Sequence, residues 1–121
     1  MTTDEMKSFV RRHFEDFVNL KKNDGADVNL ADDFVDHDGP GGKQVNREED
    51  KAMMRAMQAR YPDLHVTIED MIAEGDKVAC RNVWRATEPA NGKTITFKGV
   101  VIWRIANGKI VERWASVEPP R

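Results

Sequence analysis

Met6, Phe9, Val10, His13, Phe14, Phe17 and Val18 recur at three- and four-residue spacing and form one stripe. Lys7, Arg11, Arg12, Glu15, Asp16 and Asn19 fill the opposite face, so the segment predicts an amphipathic helix. Thr2 with Glu5 three residues later predicts a capping box at its start, and Lys22-Asn23-Asp24-Gly25 ends it. Ala26 to Phe34 predicts a short second helix anchored by Leu30, Phe34 and Val35. The periodicity then lapses over Asp36-His37-Asp38-Gly39-Pro40-Gly41-Gly42, where glycines and a proline predict a loop that could lie at a pocket mouth. A third helix opens at Asn46, with Glu49 as the reciprocal cap, and stops before Pro62. Its apolar residues are Ala52, Met53, Met54, Ala56, Met57 and Ala59. Small and flexible side chains of this kind suit a cavity wall or tight packing against a sheet.

The pattern changes after Pro62. Alternating runs around His65–Asp70, Val78–Arg85, Phe97–Ile105 and Lys109–Trp114 are separated by Glu74-Gly75-Asp76-Lys77, a long loop, and Asn107-Gly108. Such punctuation predicts a hairpin-linked antiparallel meander. The fold class expected is therefore α+β, three N-terminal helices packed on a strongly curved antiparallel sheet. Both faces of the central strands carry large apolar residues, one with Cys80, Trp84, Val101 and Trp103, the other with Val83, Val100 and Ile102. Helices can cover one face only, so a homodimer through the other is expected.

The 121 residues suffice for a single domain spanning 1–121. A formal net charge of −2 excludes a basic footprint for nucleic acid. No run is long and apolar enough for a membrane span, and Met1-Thr2-Thr3-Asp4-Glu5-Met6 lacks the basic and apolar regions of a signal peptide. A soluble cytoplasmic protein is expected. The single cysteine, Cys80, cannot close an internal disulfide and reads as a small buried apolar residue.

Asp36-His37-Asp38 offers three potential ligands, but neighbours on an extended chain point alternately apart, and no His-x-x-x-His or Cys-x-x-Cys spacing exists. There is no phosphate-binding glycine motif. No metal and no cofactor are expected. Acid–base chemistry has better support: His37 sits where an apolar element gives way to glycines, and imidazole exchanges protons near neutral pH. A structural loop histidine is the competing reading. Trp84, Trp103 and Trp114 could line a cavity for flat or cyclic ligands, together with Met57, or could simply pack.

Taken in order, Phe34-Val35-Asp36-His37-Asp38, Tyr61-Pro62-Asp63-Leu64-His65-Val66-Thr67-Ile68-Glu69-Asp70, Glu74-Gly75-Asp76-Lys77-Val78-Ala79 and the segment Arg104 to Trp114 resemble the SnoaL-like polyketide cyclases of the nuclear-transport-factor-2-like superfamily. The resemblance implies a cone-shaped α+β barrel, a deep apolar pocket and commonly a dimer. It also implies intramolecular aldol chemistry, with an Asp just after the strand tryptophan as acid/base. That position is Ala115 here, and Glu118 is the acidic residue that follows. Gly99 and Val101 stand where the family's cyclases place a Gln and a His, while His37 matches the family's loop histidine.

The leading expectation is an enzyme acting on a small, largely apolar cyclic or carbonyl compound through an enol or enolate. His37 would be the base and Glu118 the acid, with Asn82, Arg81 or an indole donating to the oxyanion. A non-catalytic ligand-binding or dimeric interaction module, or a packed structural partner, remains open at this point. The discriminating observation is whether a cavity exists and which titratable groups face it.

Overall fold

The computed structural model describes residues 1–119. The first helix, α1 (Thr3–Phe14), starts as its sequence dictates: the Thr2 side chain accepts from the Glu5 amide, and the Glu5 carboxylate receives the Thr2 amide. Met6, Phe9, Val10, His13 and Phe14 are the buried stripe. The helix then widens into a π-turn, Glu15–Asn19, which keeps Phe17 and Val18 facing inward.

The second helix is shorter than expected. α2 spans only Gly25–Asn29, and the chain turns at once into strand β1 (Leu30–Asp36). Leu30 and Phe34 are spaced like helix anchors, yet they are core residues of a strand whose register shifts between Leu30 and Val35. After β1 a 3₁₀ turn, Pro40–Gly42, returns the chain to the two-residue strand β2 (Val45–Asn46). Gly39 permits this tight return: a Cβ there would lie 2.7 Å from both the Lys43 carbonyl oxygen and a Val45 methyl. α3 (Arg47–Arg60) opens with the expected Asn46/Glu49 capping box.

Four long strands follow: β3 (His65–Glu74), β4 (Lys77–Thr87), β5 (Thr94–Ala106) and β6 (Lys109–Val117). The sheet order is β2-β1-β6-β5-β4-β3. The architecture is α+β as expected, but the sheet is mixed: β1 runs parallel to β6, while its other pairings are antiparallel. The expected strong curvature is present: the sheet curls around the helices as an open cone, with β2 and β3 as edges.

The curled inner face packs on α1, the π-turn and α3. Val78, Cys80, Trp84, Phe97, Val101, Trp103 and Ile110 meet Phe9, Phe14 and Phe17 in one core. On the outer face the register aligns Ile72, Ala79, Ile102 and Trp114 in one row across four strands.

Candidate functional site

The inner face does not pack solidly. A cavity of about 180 Å³ remains between α1, α3 and the sheet, walled by Phe14, Phe17, Met53, Met54, Met57, Trp84, Phe97, Trp103 and Val117. Two larger hollows, of about 550 and 520 Å³, are more open depressions, one beside β1, β5 and β6 and the other between α1 and β3. The smaller space is less open than those two, apolar-walled and supplied with converging charged groups, the usual character of a ligand site.

Those groups are His13, Asp36, Asp38, Asp50 and Arg113. Strand alternation explains how Asp36 and Asp38 reach the cavity while His37 does not. Asp36 is fully buried; its Oδ2 accepts from Arg113 Nη1 at 2.8 Å and its Oδ1 from the Asp38 amide at 2.9 Å. Asp38 Oδ2 accepts from the Ala115 amide at 2.8 Å, tying the loop to β6. The Arg113 guanidinium lies over the Trp103 ring, 5.6 Å from its centroid, so the cation is held by a carboxylate and an aromatic face together.

Asp50 approaches from the first turn of α3. Burial pushes its carboxyl up to about 6; nearby Arg113 pulls the other way, and the Asp36 carboxylate pushes further up. Two carboxyl groups in one poorly solvated place cannot both ionise freely. His13 is the opposite case: burial, aided by Arg113, drives its imidazole down to about 3. The Asn29 amide nitrogen lies 3.0 Å from His13 Nδ1 and can only donate, so Nε2 carries the ring proton. The site therefore combines a carboxyl group poised near neutrality, a neutral imidazole donor and a fixed cation. No group of acidic, histidine or cysteine side chains among the described residues could hold a metal ion.

The residues singled out from sequence divide between places. Trp84, Trp103 and Met57 line the cavity. Asn82 is fully buried on the same face of β4 as Trp84. His37 lies on the outer side: Nε2 is 2.7 Å from Glu112 Oε2, Nδ1 is 3.2 Å from the Gln44 amide, and the ring stacks on Trp114 at 5.0 Å. The His37 contact, then Arg104, hold the Glu112 carboxyl below the usual range. Neither His37, Trp114 nor Glu118 is among the cavity-lining side chains; the Glu118 amide donates to the Lys98 carbonyl. Arg81 pairs with Asp70 on the exposed face. Sequence reading missed Asp50 and Arg113. An acidic first turn is common at any helix N-terminus, and nothing local sets Arg113 apart from other strand arginines such as Arg104.

The family model described as SnoaL-like polyketide cyclase matches residues 8–118. No curated protein matches the chain in sequence. Among solved structures, IdmH of Streptomyces antibioticus, a candidate polyketide cyclase, is 26% identical with a TM-score of 0.84, covering 93% of this chain and 91% of that one. AclR of Streptomyces galilaeus, a candidate hydroxylase, reaches a TM-score of 0.86 at 22% identity, over 97% and 81% of the two chains. A SnoaL-like polyketide cyclase of Agrobacterium tumefaciens gives 0.81 at 18% identity, over 98% and 93%. At these lower identities the likeness carries the fold alone.

Proposed function

Since the chain belongs to the SnoaL-like polyketide cyclase family, we propose that its cavity binds a small, largely apolar cyclic or carbonyl compound and performs acid–base chemistry through an enol or enolate. One observation carries this reading: the Asp50 carboxyl, pushed up to about 6, faces an apolar-walled cavity beside Asp36 and Arg113. A carboxyl tuned to that range both takes and returns a proton near neutral pH.

In this reading the Asp50 carboxylate removes a proton from the carbon next to a ligand carbonyl. The electron pair moves into the carbonyl, and the resulting oxyanion receives a hydrogen bond from His13 Nε2 under the field of Arg113. Asp50 then returns the proton, to the same carbon or to the product of ring closure. Ala115 stands where the family's acid/base Asp is expected, so Asp50 replaces that group from the opposite wall. Asp36 holds Arg113 in place. The outer row Ile72, Ala79, Ile102 and Trp114 is the face on which a second copy of the chain would seat.

Exchange of α-protons in deuterium oxide, followed by proton NMR on a panel of cyclic ketones, tests the proposal without knowledge of the natural substrate. Wild-type protein is expected to accelerate exchange for the ketones it binds, and Asp50→Asn to reduce that rate by about 10²–10⁴-fold. Ketones that bind but exchange no faster than in buffer would leave the cavity as a binding site only.

A further inference from the structure

The inner sheet face beside the cavity holds buried polar atoms that the protein leaves without hydrogen bonds. Asn82 is fully buried, and neither its Oδ1 nor its Nδ2 has a partner; the same holds for Trp84 Nε1, on a side chain 6% exposed. An unsatisfied buried amide destabilises the fold, so an Asn between Cys80 and Trp84 points to a partner the chain itself does not supply. Sheet register locates it. Asn82 pairs with Gly99, and Gly99 with Val117, whose side chain lines the cavity. Paired residues on neighbouring antiparallel strands project to the same face, so Asn82 is aimed inward with Trp84 and Val117. A Cβ at Gly99 would meet a Val117 methyl at 2.7 Å, so the glycine lets β6 close down beside the amide.

Polar groups therefore stand at two levels of the inner sheet face. Trp103 pairs with Arg113, while Gly99, four residues earlier on β5, pairs with Asn82; at about 3.3 Å per residue the two rows are about 13 Å apart. Between them lies the row Cys80, Val101 and Ala115, and just beyond the Asn82 row Trp84 and Phe97 stack at 5.8 Å. The volume sets the size of what fits. An apolar cavity of about 150 Å³ accommodates benzene, and this one measures about 180 Å³, below the range of about 300–1,000 Å³ usual for drug-sized ligands.

We propose that the ligand is a one- or two-ring compound bearing two separated oxygens, one presented to the Asp50, His13 and Arg113 cluster and the other received by the Asn82 amide and the Trp84 indole. This rests on the reading of the cavity as the ligand site and adds the size and polarity of its occupant. A two-ring skeleton with an oxygen at each end, lengthened on either side by a hydrogen bond of about 2.9 Å, matches the spacing of the two rows. The Asn82 amide can donate to a carbonyl or accept from a hydroxyl, so either oxygen type satisfies it. Multi-ring or long-chain polyketides exceed the space.

A ligand ladder on one skeleton tests this by calorimetry: 6-hydroxy-1-tetralone, 1-tetralone and tetralin carry two, one and no oxygens. Wild-type protein is expected to bind them in that order of affinity, and to bind the four-ring 5,12-naphthacenequinone more weakly than the tetralones. Asn82→Leu keeps the branched shape, with somewhat bulkier ends, and removes the orphaned groups. It is expected to raise the melting temperature of the ligand-free protein by about 3–6 °C, to weaken 6-hydroxy-1-tetralone about tenfold, and to leave tetralin unchanged. Trp84→Phe, which removes the indole N–H together with its five-membered ring, is expected to weaken binding of the oxygenated probe relative to tetralin. An unaltered ladder in both variants, a lower melting temperature for Asn82→Leu, or equal affinity for the four-ring quinone overturns the proposal; the second of these would assign Asn82 to a structural water. An intact ladder with no α-proton exchange overturns the acid–base reading alone.

Discussion

Arg113 Nη1 donates to Asp36 Oδ2 at 2.8 Å across the parallel pairing of β6 with β1, and the carboxylate it meets is fully buried. Removing one member of such a pair strands the other in a poorly solvated place. Arg113→Met is therefore expected to lower stability by about 3–5 kcal/mol in chemical denaturation. Because Arg113 restrains the upward shift of Asp50, the same variant should move the pH dependence of α-proton exchange upward. An unchanged profile would show that the cation does not act on Asp50.

Asp50 makes a separate prediction for stability. Its folded value of about 6 exceeds the ordinary 3.8, so between those pH values the folded protein keeps a proton that the unfolded chain has released. Stability contributed by this group is present below about 4 and is lost as pH rises toward 6. Asp50→Asn should then be more stable than wild type at pH 7 by up to about 3 kcal/mol, with the advantage vanishing by pH 4. Denaturation curves at the two pH values check it.

His13 acts with the opposite sign. Its folded value of about 3 lies below the ordinary 6.5, so the unfolded chain gains a proton that the folded state refuses. That penalty grows as pH falls from 6.5 toward 3. His13→Phe should flatten this acid slope while costing about 1–3 kcal/mol at neutral pH, since the buried Asn29 amide loses its acceptor. An unchanged slope would place the acid sensitivity elsewhere.

His37→Gln offers a direct comparison of two candidate bases. With its ring engaged by Glu112, Gln44 and Trp114, the substitution is expected to lower stability by about 1 kcal/mol and to leave α-proton exchange largely intact. A loss of two orders of magnitude or more would move the base from Asp50 to His37.

The outer row predicts assembly. Ile72 is 73% exposed and Val100 46% exposed on a face that also presents Ile102 and Trp114. Sedimentation at micromolar concentration is expected to give twice the chain mass, and Ile72→Lys to shift it toward the single chain. A wild-type species of one chain mass at that concentration would remove the dimer from the reading.

Local chemistry made the element ends readable: the Thr2/Glu5 and Asn46/Glu49 boxes and the Asn107-Gly108 hairpin depend on neighbours in sequence. β1 was obscured because its irregular register exposes Asp32 between the buried Leu30 and Phe34, which imitates helical spacing. The site was hidden for a related reason. Its defining contact joins residues 36 and 113 through a parallel pairing, which no local pattern announces. Of three adjacent ionisable residues, Asp36, His37 and Asp38, reading alone favoured the imidazole, whereas alternation sends the carboxylates inward. The tryptophans divide likewise: Trp84 and Trp103 reach the cavity, and Trp114 meets His37 outside.

The π-turn at Glu15–Asn19 has an effect at the sheet margin. It places Asn19 so that its side-chain oxygen accepts the Val66 amide at 2.8 Å and its side-chain nitrogen donates to the Val66 carbonyl at 3.1 Å. These backbone groups belong to the edge strand β3, where an uncovered ladder invites pairing with foreign chains. A single amide thus mimics one residue of a neighbouring strand and closes the start of that edge. Farther along, the register shift between Ile68 and Asp70 interrupts the ladder and Glu69, Asp70 and Glu74 add charge. The widened helical turn thereby takes away part of the backbone template on which a foreign strand would pair.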